Sequence, residues 1–462
     1  MRVRRVRDFA LLCALLGIAP LILRAPHIGI LTWIWVTILS PQREVYGFLS
    51  GFELNFYIAL LTALGWAISR EKKTLSSNPA AGLLILFGLW TCITTYLALQ
   101  PGYSAVILDR TLKTIVLALC VITLANSKGR IQSIIWVLAI SLGYYAVKGG
   151  GFVLLTGGRH HVFGPVNTMI EDNNALGLAL VMLLPLLNYL RITSRSRMAS
   201  FAAMATMALA LVAIIGTYSR GALLALAASG IAYALRSRSS FIPLLLGGLL
   251  AISLPSLVPS GWFDRMSTIQ AYNQDSSFEG RVAAWRTSLE IVRQRPITGG
   301  GFYSTDLDWV ALSFHSPGSL TSGKAAHSIY FEVLGDHGFV GLILYLLLIA
   351  AAWLNTSIVM ATTRDDPGMD WANRLARMLQ ISIVGYLVGG AALSMAYYDG
   401  FLVLLGVTAA LAIAVRQPSR QTSARSRPRW METSGQNWAA VPIGASLPRW
   451  RDADTARLQR SS

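Results

Sequence analysis

Charged residues are scarce in this chain: Asp, Glu, Lys and Arg make up 13% of 462 residues, about half the share of a typical soluble domain. Acids are the scarcer sign, 22 against 39 Lys and Arg, which leaves a net charge of +17. With 54% hydrophobic residues and a mean hydropathy of +0.53, a soluble globular fold is excluded, and an all-α, polytopic membrane protein is implied. Cysteine is nearly absent. Cys13, Cys92 and Cys120 all lie inside apolar runs without paired spacing, so they read as small buried hydrophobes and exclude a disulfide or zinc framework. There is no internal repeat of the kind that marks many secondary transporters. Histidine numbers only six, two of them in the stretch His327 to His337.

The excess of positive charge suggests nucleic acid only until its placement is examined. From Arg416 onward nine Arg face Glu432, Asp452 and Asp454, so the tail alone supplies +6. It is rich in Arg, Ser and Pro and poor in apolar surface, as a disordered cytoplasmic tail over 416–462 would be. Most other basic residues fall in short loops between apolar runs, where charge sets topology rather than recruiting a ligand, so no nucleic-acid partner is expected. The opening Met-Arg-Val-Arg-Arg-Val-Arg and the apolar run after it look like a signal peptide, but no cleavage site precedes a soluble domain; a retained anchor is expected.

Apolar runs of spanning or near-spanning length stand at about 9–23, 27–40, 54–69, 79–98, 111–126, 131–147, 174–190, 199–216, 221–235, 240–258, 338–360, 375–396 and 400–415. With the basic tail inside, the inner loops 70–78, 127–130, 191–198, 236–239 and 361–377 hold thirteen Lys and Arg. The short outer loops 41–53, 99–110, 148–173 and 217–220 hold five, Arg43, Arg110, Lys148, Arg159 and Arg220. A basic N-terminus on the inner side then demands an even number of crossings, about 12 transmembrane helices if 9–40 counts once. The expected organisation is N-terminal transmembrane helices over 1–199 and a second membrane domain over 200–415 that contains an extracytoplasmic loop at 259–328.

Three groups of residues could carry chemistry. Arg220 follows Thr217-Tyr218-Ser219 at the outer end of one apolar run, where an arginine either snorkels to the headgroups or meets an anion. In the long loop, Val282, Trp285, Leu289 and Val292 have the spacing of an amphipathic helix over 281–295 lying along the membrane surface. Arg281 at its start, and Arg286 second, offer planar guanidiniums suited to a diphosphate. The third group is His327-Ser328, at the junction of that loop with the next apolar run. Histidine is the commonest general base near neutrality; nearby Lys324 is expected to lower its pKa and Glu332 to raise it. His337 reads as a helix-start or packing residue. A further cluster, Arg159-His160-His161 with Glu171-Asp172-Asn173, invites a metal reading, but a separation of about ten residues matches no zinc pattern. Asp172 and Asn173 could cap the following helix or bind sugar hydroxyls.

Together these groups resemble the O-antigen ligase and polymerase superfamily. His327-Ser328, nine residues, then Gly338-Phe339-Val340-Gly341 is similar to its closing signature. Thr217-Tyr218-Ser219-Arg220-Gly221-Ala222 is similar to its Ser-Arg-Gly element, and Arg281, Trp285, Pro296 and Gly299 match the spacing of its loop element. The likeness covers roughly 200–355, while Leu31-Thr32-Trp33-Ile34-Trp35 and Ser40-Pro41 resemble the O-glycosylation ligase branch associated with exosortase systems.

The resemblance implies a cofactor-free, metal-independent glycosyltransferase of polysaccharide biosynthesis in the bacterial inner membrane, with its site facing the periplasm. It would pass a glycan from an undecaprenyl-diphosphate-linked donor to the hydroxyl of a glycan, lipid or protein acceptor. Carried onto matching positions, His327 would be the base and Arg220 and Arg281 would hold the diphosphate; Arg286, Arg159 and Asp172 are secondary candidates. No Asp-x-Asp metal element is expected in the loop. Two alternatives stand beside this reading. One is a polymerase that joins lipid-linked repeat units, and the other a non-enzymatic transporter of lipid-linked sugars.

Overall fold

The computed structural model describes residues 2–45, 47–71, 77–236 and 276–416; the expected span at 240–258, the start of the outer loop and the tail beyond Arg416 lie outside them. Among the described residues every regular element is helical: α1 (Arg2–Arg24), α2 (Pro26–Leu39), α3 (Pro41–Val45), α4 (Leu54–Ile68), α5 (Pro79–Tyr96), α6 (Pro101–Leu124), α7 (Lys128–Thr156), α8 (Asn173–Thr193), α9 (Arg197–Gly216), α10 (Arg220–Arg236), α11 (Ser276–Gln294), α12 (Asp308–Ser313), α13 (Ile329–Thr362), α14 (Asp370–Gly390) and α15 (Asp399–Arg416). Local chemistry sets several starts. Pro stands at the first turn of α2, α5 and α6, where its missing N–H costs nothing. Asn78, Ser127, Asp172 and Ser196 accept from the first free backbone N–H groups of α5, α7, α8 and α9.

Seven described helices are long and apolar enough to cross a membrane: Val6–Arg24, Pro79–Tyr96, Lys128–Thr156, Asn173–Thr193, Arg197–Gly216, Ile329–Thr362 and Asp399–Arg416. This multi-pass bundle falls short of the 12 expected by that measure, because α2 and α4 are shorter apolar helices and α10 has only 17 residues. The α8 and α15 helices are buried along most of their length and form the centre of the bundle, while α1 and α9 lie at its rim.

The structure decides whether residues 9–40 count once or twice. Proline 26 holds Ala25 extended at φ −145°, so the chain turns back after α1 and residues 9–40 form two helices. Leu49 N–H donates to the buried Asp8 carboxylate at 3.0 Å, which puts the start of α1 at the same end as segment 41–53. The far end of α1 meets the far end of α4, where a Cβ on Gly65 would lie 2.5 Å from the Ile22 carbonyl oxygen. The basic N-terminus therefore shares the end of the outer loops, against the expectation that it lies with the inner ones. The Asp8 hydrogen bond ties this end of α1 to the 41–53 segment directly, whereas the charge bias is only a tendency of short loops.

The α13 helix is broken at Gly338. There φ is +67° and ψ −169°, a region open essentially to glycine alone. The break exposes backbone groups that the loop satisfies: Phe339 N–H donates to Pro296 O at 2.9 Å, Gly300 N–H to Gly335 O at 2.8 Å and Gly301 N–H to Asp336 O at 2.9 Å. Pro296 to Gly301 thus threads against the broken turn, and a Cβ on Gly299 would meet Gly335 O at 2.6 Å. His337 is fully buried at the break, with Nδ1 2.7 Å from Thr94 Oγ1 and Phe302 packed edge-on against its ring.

Candidate functional site

At the end of the bundle that carries these loops, a cavity of about 1140 Å³ is lined from three N-terminal segments and three C-terminal ones. The first contribute Ser40, Gln42, Glu53 and Asn55, then Arg110 and Lys113, then Asn167, Glu171 and Asp172; the second contribute Tyr303, His327 and the run Leu393–Asp399. Backbone strain gathers here. Five described non-glycine residues have positive φ: Ser40, Asn167, Tyr218, Tyr303 and His327. Four of them line the cavity and the fifth stands two residues before Arg220. Each costs about 1–3 kcal/mol and persists only where its surroundings fix it, a pattern typical of functional sites.

His327 is fixed from two directions. Its N–H donates to Ser394 Oγ at 2.7 Å, and the carbonyl of Ala326 accepts from Trp285 Nε1 at 2.9 Å. Trp285 also stacks on Phe331 at 5.1 Å, so α11 clamps both sides of the loop-to-helix junction. The Leu393–Asp399 connection that holds His327 is itself tied to α13: Ala396 N–H donates to Glu332 Oε2 at 2.9 Å and Tyr397 OH to Asp336 Oδ2 at 2.9 Å. Glu332, expected to act on the His327 ring, is instead spent on this backbone contact.

Burial pushes the His327 imidazole down to about 4, and the positive charges of Arg281 and Lys324 push the same way against Asp172. The ring is therefore neutral and proton-accepting at pH 7. Lys324 comes close to the start of α11, its Nζ lying 2.2 Å from where a Cβ on Gly280 would stand. Arg220 begins α10, where Ser219 Oγ accepts from Ala222 N–H at 3.1 Å. Its neighbour Gly221 faces Ala392 and Leu393 at 3.8–3.9 Å, so Arg220 adjoins the connection that holds His327. Tyr218 stiffens this corner, with its OH on Gly158 O at 2.6 Å and its ring stacked on His161 at 4.6 Å.

The secondary candidates separate. Asp172 lines the cavity and caps α8 through Asn174 N–H and Ala175 N–H. Arg286 turns away, with Nη1 3.5 Å from Pro317 O, and Arg159 is exposed and outside the cavity lining. The α11 helix is present as expected, but its buried face is Ala284, Thr287, Ser288, Ile291 and Val292, whereas Leu289 is 42% exposed. Small residues face inward because α13 passes close by; a Cβ on Gly335 would stand 3.0 Å from Ser288 Oγ.

One Asp-x-Asp spacing, Asp306-Leu307-Asp308, does stand in the loop, contrary to the expectation. Asp308 accepts from Gly323 N–H at 2.7 Å, and burial raises the Asp306 carboxyl to about 6. Among the described residues no group of three or more His, Cys, Asp and Glu is gathered to hold a metal ion. Sequence reasoning also counted Arg43 and Arg110 only as topology signals, yet both line the cavity, and Arg110 pairs with Asp399 at 2.7 Å. No local pattern marks them; Arg43 stands on α3 and Arg110 on α6, and only the packing of these helices at one end brings them in.

Residues 205–346 match the family model described as O-antigen ligase. Residues 6–195 match a family of unknown function. No curated protein matches the chain. The chain thus carries an O-antigen ligase domain that includes Arg220, Arg281 and His327.

Proposed function

We propose that the protein is a membrane glycosyltransferase that moves a glycan from undecaprenyl diphosphate to an acceptor hydroxyl on the periplasmic face of the bacterial inner membrane. The carrying observation is the setting of His327: a neutral imidazole on the wall of a cavity of mixed polar and apolar lining, with Arg281 and Lys324 acting on it electrostatically, inside an O-antigen ligase domain. Assignment to the exosortase-associated branch belongs to the same proposal and rests on the resemblance of residues 31–41.

The chemistry follows from charge movement. Breaking the sugar–diphosphate bond places negative charge on the phosphate, and guanidiniums fixed at Arg220 and Arg281 stabilise that charge more in the transition state than before it. They replace a divalent ion in this scheme. His327 takes the proton from the acceptor hydroxyl as it attacks opposite the leaving group, which inverts the anomeric carbon. The diphosphate also offsets the cations that depress His327, so donor binding makes the imidazole a stronger base.

That coupling has a measurable form. The acidic limb of kcat/KM reports the donor-free enzyme and is expected near pH 4, while the limb of kcat, reporting the bound state, is expected at higher pH. Coincident limbs near pH 6.5 would contradict the coupling. Arg220→Lys is expected to lower transfer about tenfold or more, since a point charge cannot reproduce bidentate phosphate contacts. Full activity in that variant would make Arg220 a headgroup anchor. The function itself is tested with purified protein in proteoliposomes and a lipid-linked glycan donor. Transfer only on addition of acceptor supports ligation, whereas chain growth from donor alone would make the protein a polymerase.

A further inference from the structure

Resting on that reading, we propose that the N-terminal region matching a family of unknown function forms the acceptor site, and that this site takes an uncharged glycan end. Much of the cavity wall that His327 shares comes from that region, through the segments around Ser40, Lys113 and Asn167. A general base must touch the hydroxyl it deprotonates, so the space bordered by His327 belongs to the acceptor. The leaving group lies on the far side in an inverting displacement, and among the described residues Arg220, Arg281 and Lys324 are not part of the cavity lining.

Charge separates the two sides further. The cavity lining holds five carboxylates, Glu53, Asp109, Glu171, Asp172 and Asp399, against Arg43, Arg110 and Lys113. Two of those cations are already paired, Arg110 with Asp399 at 2.7 Å and Lys113 with Asp109 at 2.7 Å and Glu53 at 3.1 Å. Such a lining repels a phosphate and suits hydroxyl groups, which both donate and accept hydrogen bonds. The carboxamide of Gln42 borders the cavity while its buried Oε1 has no partner among the described residues, an acceptor left open for a sugar hydroxyl. A volume of about 1140 Å³ exceeds the usual small-molecule pocket of about 300–1,000 Å³ and admits a short oligosaccharide.

The test uses the full chain in detergent, first without donor. A neutral glucan oligosaccharide and an oligogalacturonide of equal length are titrated into it. The neutral probe is expected to bind at least tenfold more tightly; equal or reversed preference overturns the proposal. In the transfer assay, Gln42→Leu is expected to raise KM for the acceptor about tenfold and leave KM for the donor unchanged. Glu53→Gln, at a carboxylate whose side chain is 72% exposed and so of little weight for folding, is expected to narrow the discrimination against the charged probe. A rise in donor KM instead would assign the cavity to the donor glycan and sink this inference alone. Absence of any transfer by the unaltered protein would sink the proposed function itself.

Discussion

His327→Ala lowers glycan transfer by about 10²–10⁴-fold, the usual contribution of a positioned base, while the protein still inserts and binds donor. The expectation rests on placement: His327 borders the cavity, its ring is neutral at pH 7, and the backbone is held at the His327 N–H by Ser394 and at the Ala326 carbonyl by Trp285, contacts that replacement of the side chain leaves in place. Alanine tolerates the positive φ of 49° less well than histidine, so loss of activity alone would mix chemistry with strain. His327→Asn separates them, because asparagine accepts the left-handed conformation but is no base at neutral pH. Both variants are expected to fail in single-turnover transfer and to retain donor binding. Turnover in the asparagine variant near the unaltered rate, at any pH between 5 and 9, would remove His327 from the chemistry.

Gly338→Ala is expected to destabilise the folded protein by about 2–6 kcal/mol, the strain of a glycine-only conformation added to a backbone collision. A Cβ at 338 would lie 2.3 Å from Ile297 O and 2.6 Å from Pro296 O. Neither carbonyl can swing away freely, since Pro296 O accepts the N–H of Phe339, one of the bonds that closes the break. The loop element and the closing signature therefore fail together: displacing Pro296–Gly301 shifts α11, and with it Trp285 and Arg281. Thermal unfolding in detergent checks this, with Gly230→Ala as reference. A Cβ there meets nothing within 4 Å, and replacing a helical glycine by alanine is expected to be neutral or slightly stabilising. Equal melting temperatures for the two variants would contradict the interlock.

That interlock also marks where sequence reading stopped. The spacing from His327 to Gly338 and Gly341, and from Arg281 to Gly299, was visible as two separate patterns. Nothing in either says that Gly299 lies on the Gly335 carbonyl or that Gly338 breaks its helix, because both facts arise from contacts between segments some forty residues apart. Apolar runs located the long helices α5, α7, α8, α9 and α15 well, since membrane length and apolarity are local properties. For residues 9–40 the sequence leaves one passage or two open, because Arg24-Ala25-Pro26 marks a break without saying whether the chain reverses there; the structure shows two helices, α1 and α2. The inward face of α11 is not legible in the sequence. The apolar stripe through Leu289 is read as lying on the membrane surface, and the face that packs on α13, Ala284 and Ser288, has no apolar pattern to mark it. The lining residues Gln42 and Glu53 have no signal at all, as polar residues in an outer loop look alike until the fold gathers them.

The central claim is that a lipid diphosphate sits on the cation side of His327 and an acceptor hydroxyl on the cavity side. A cryo-electron microscopy structure of the full chain with a non-hydrolysable polyprenyl-diphosphate sugar tests it most directly. The account predicts the diphosphate within hydrogen-bond reach of Arg220 and Arg281, and the anomeric carbon between it and the His327 ring. A diphosphate seated instead on Arg43, Arg110 and Lys113 inside the cavity would contradict it.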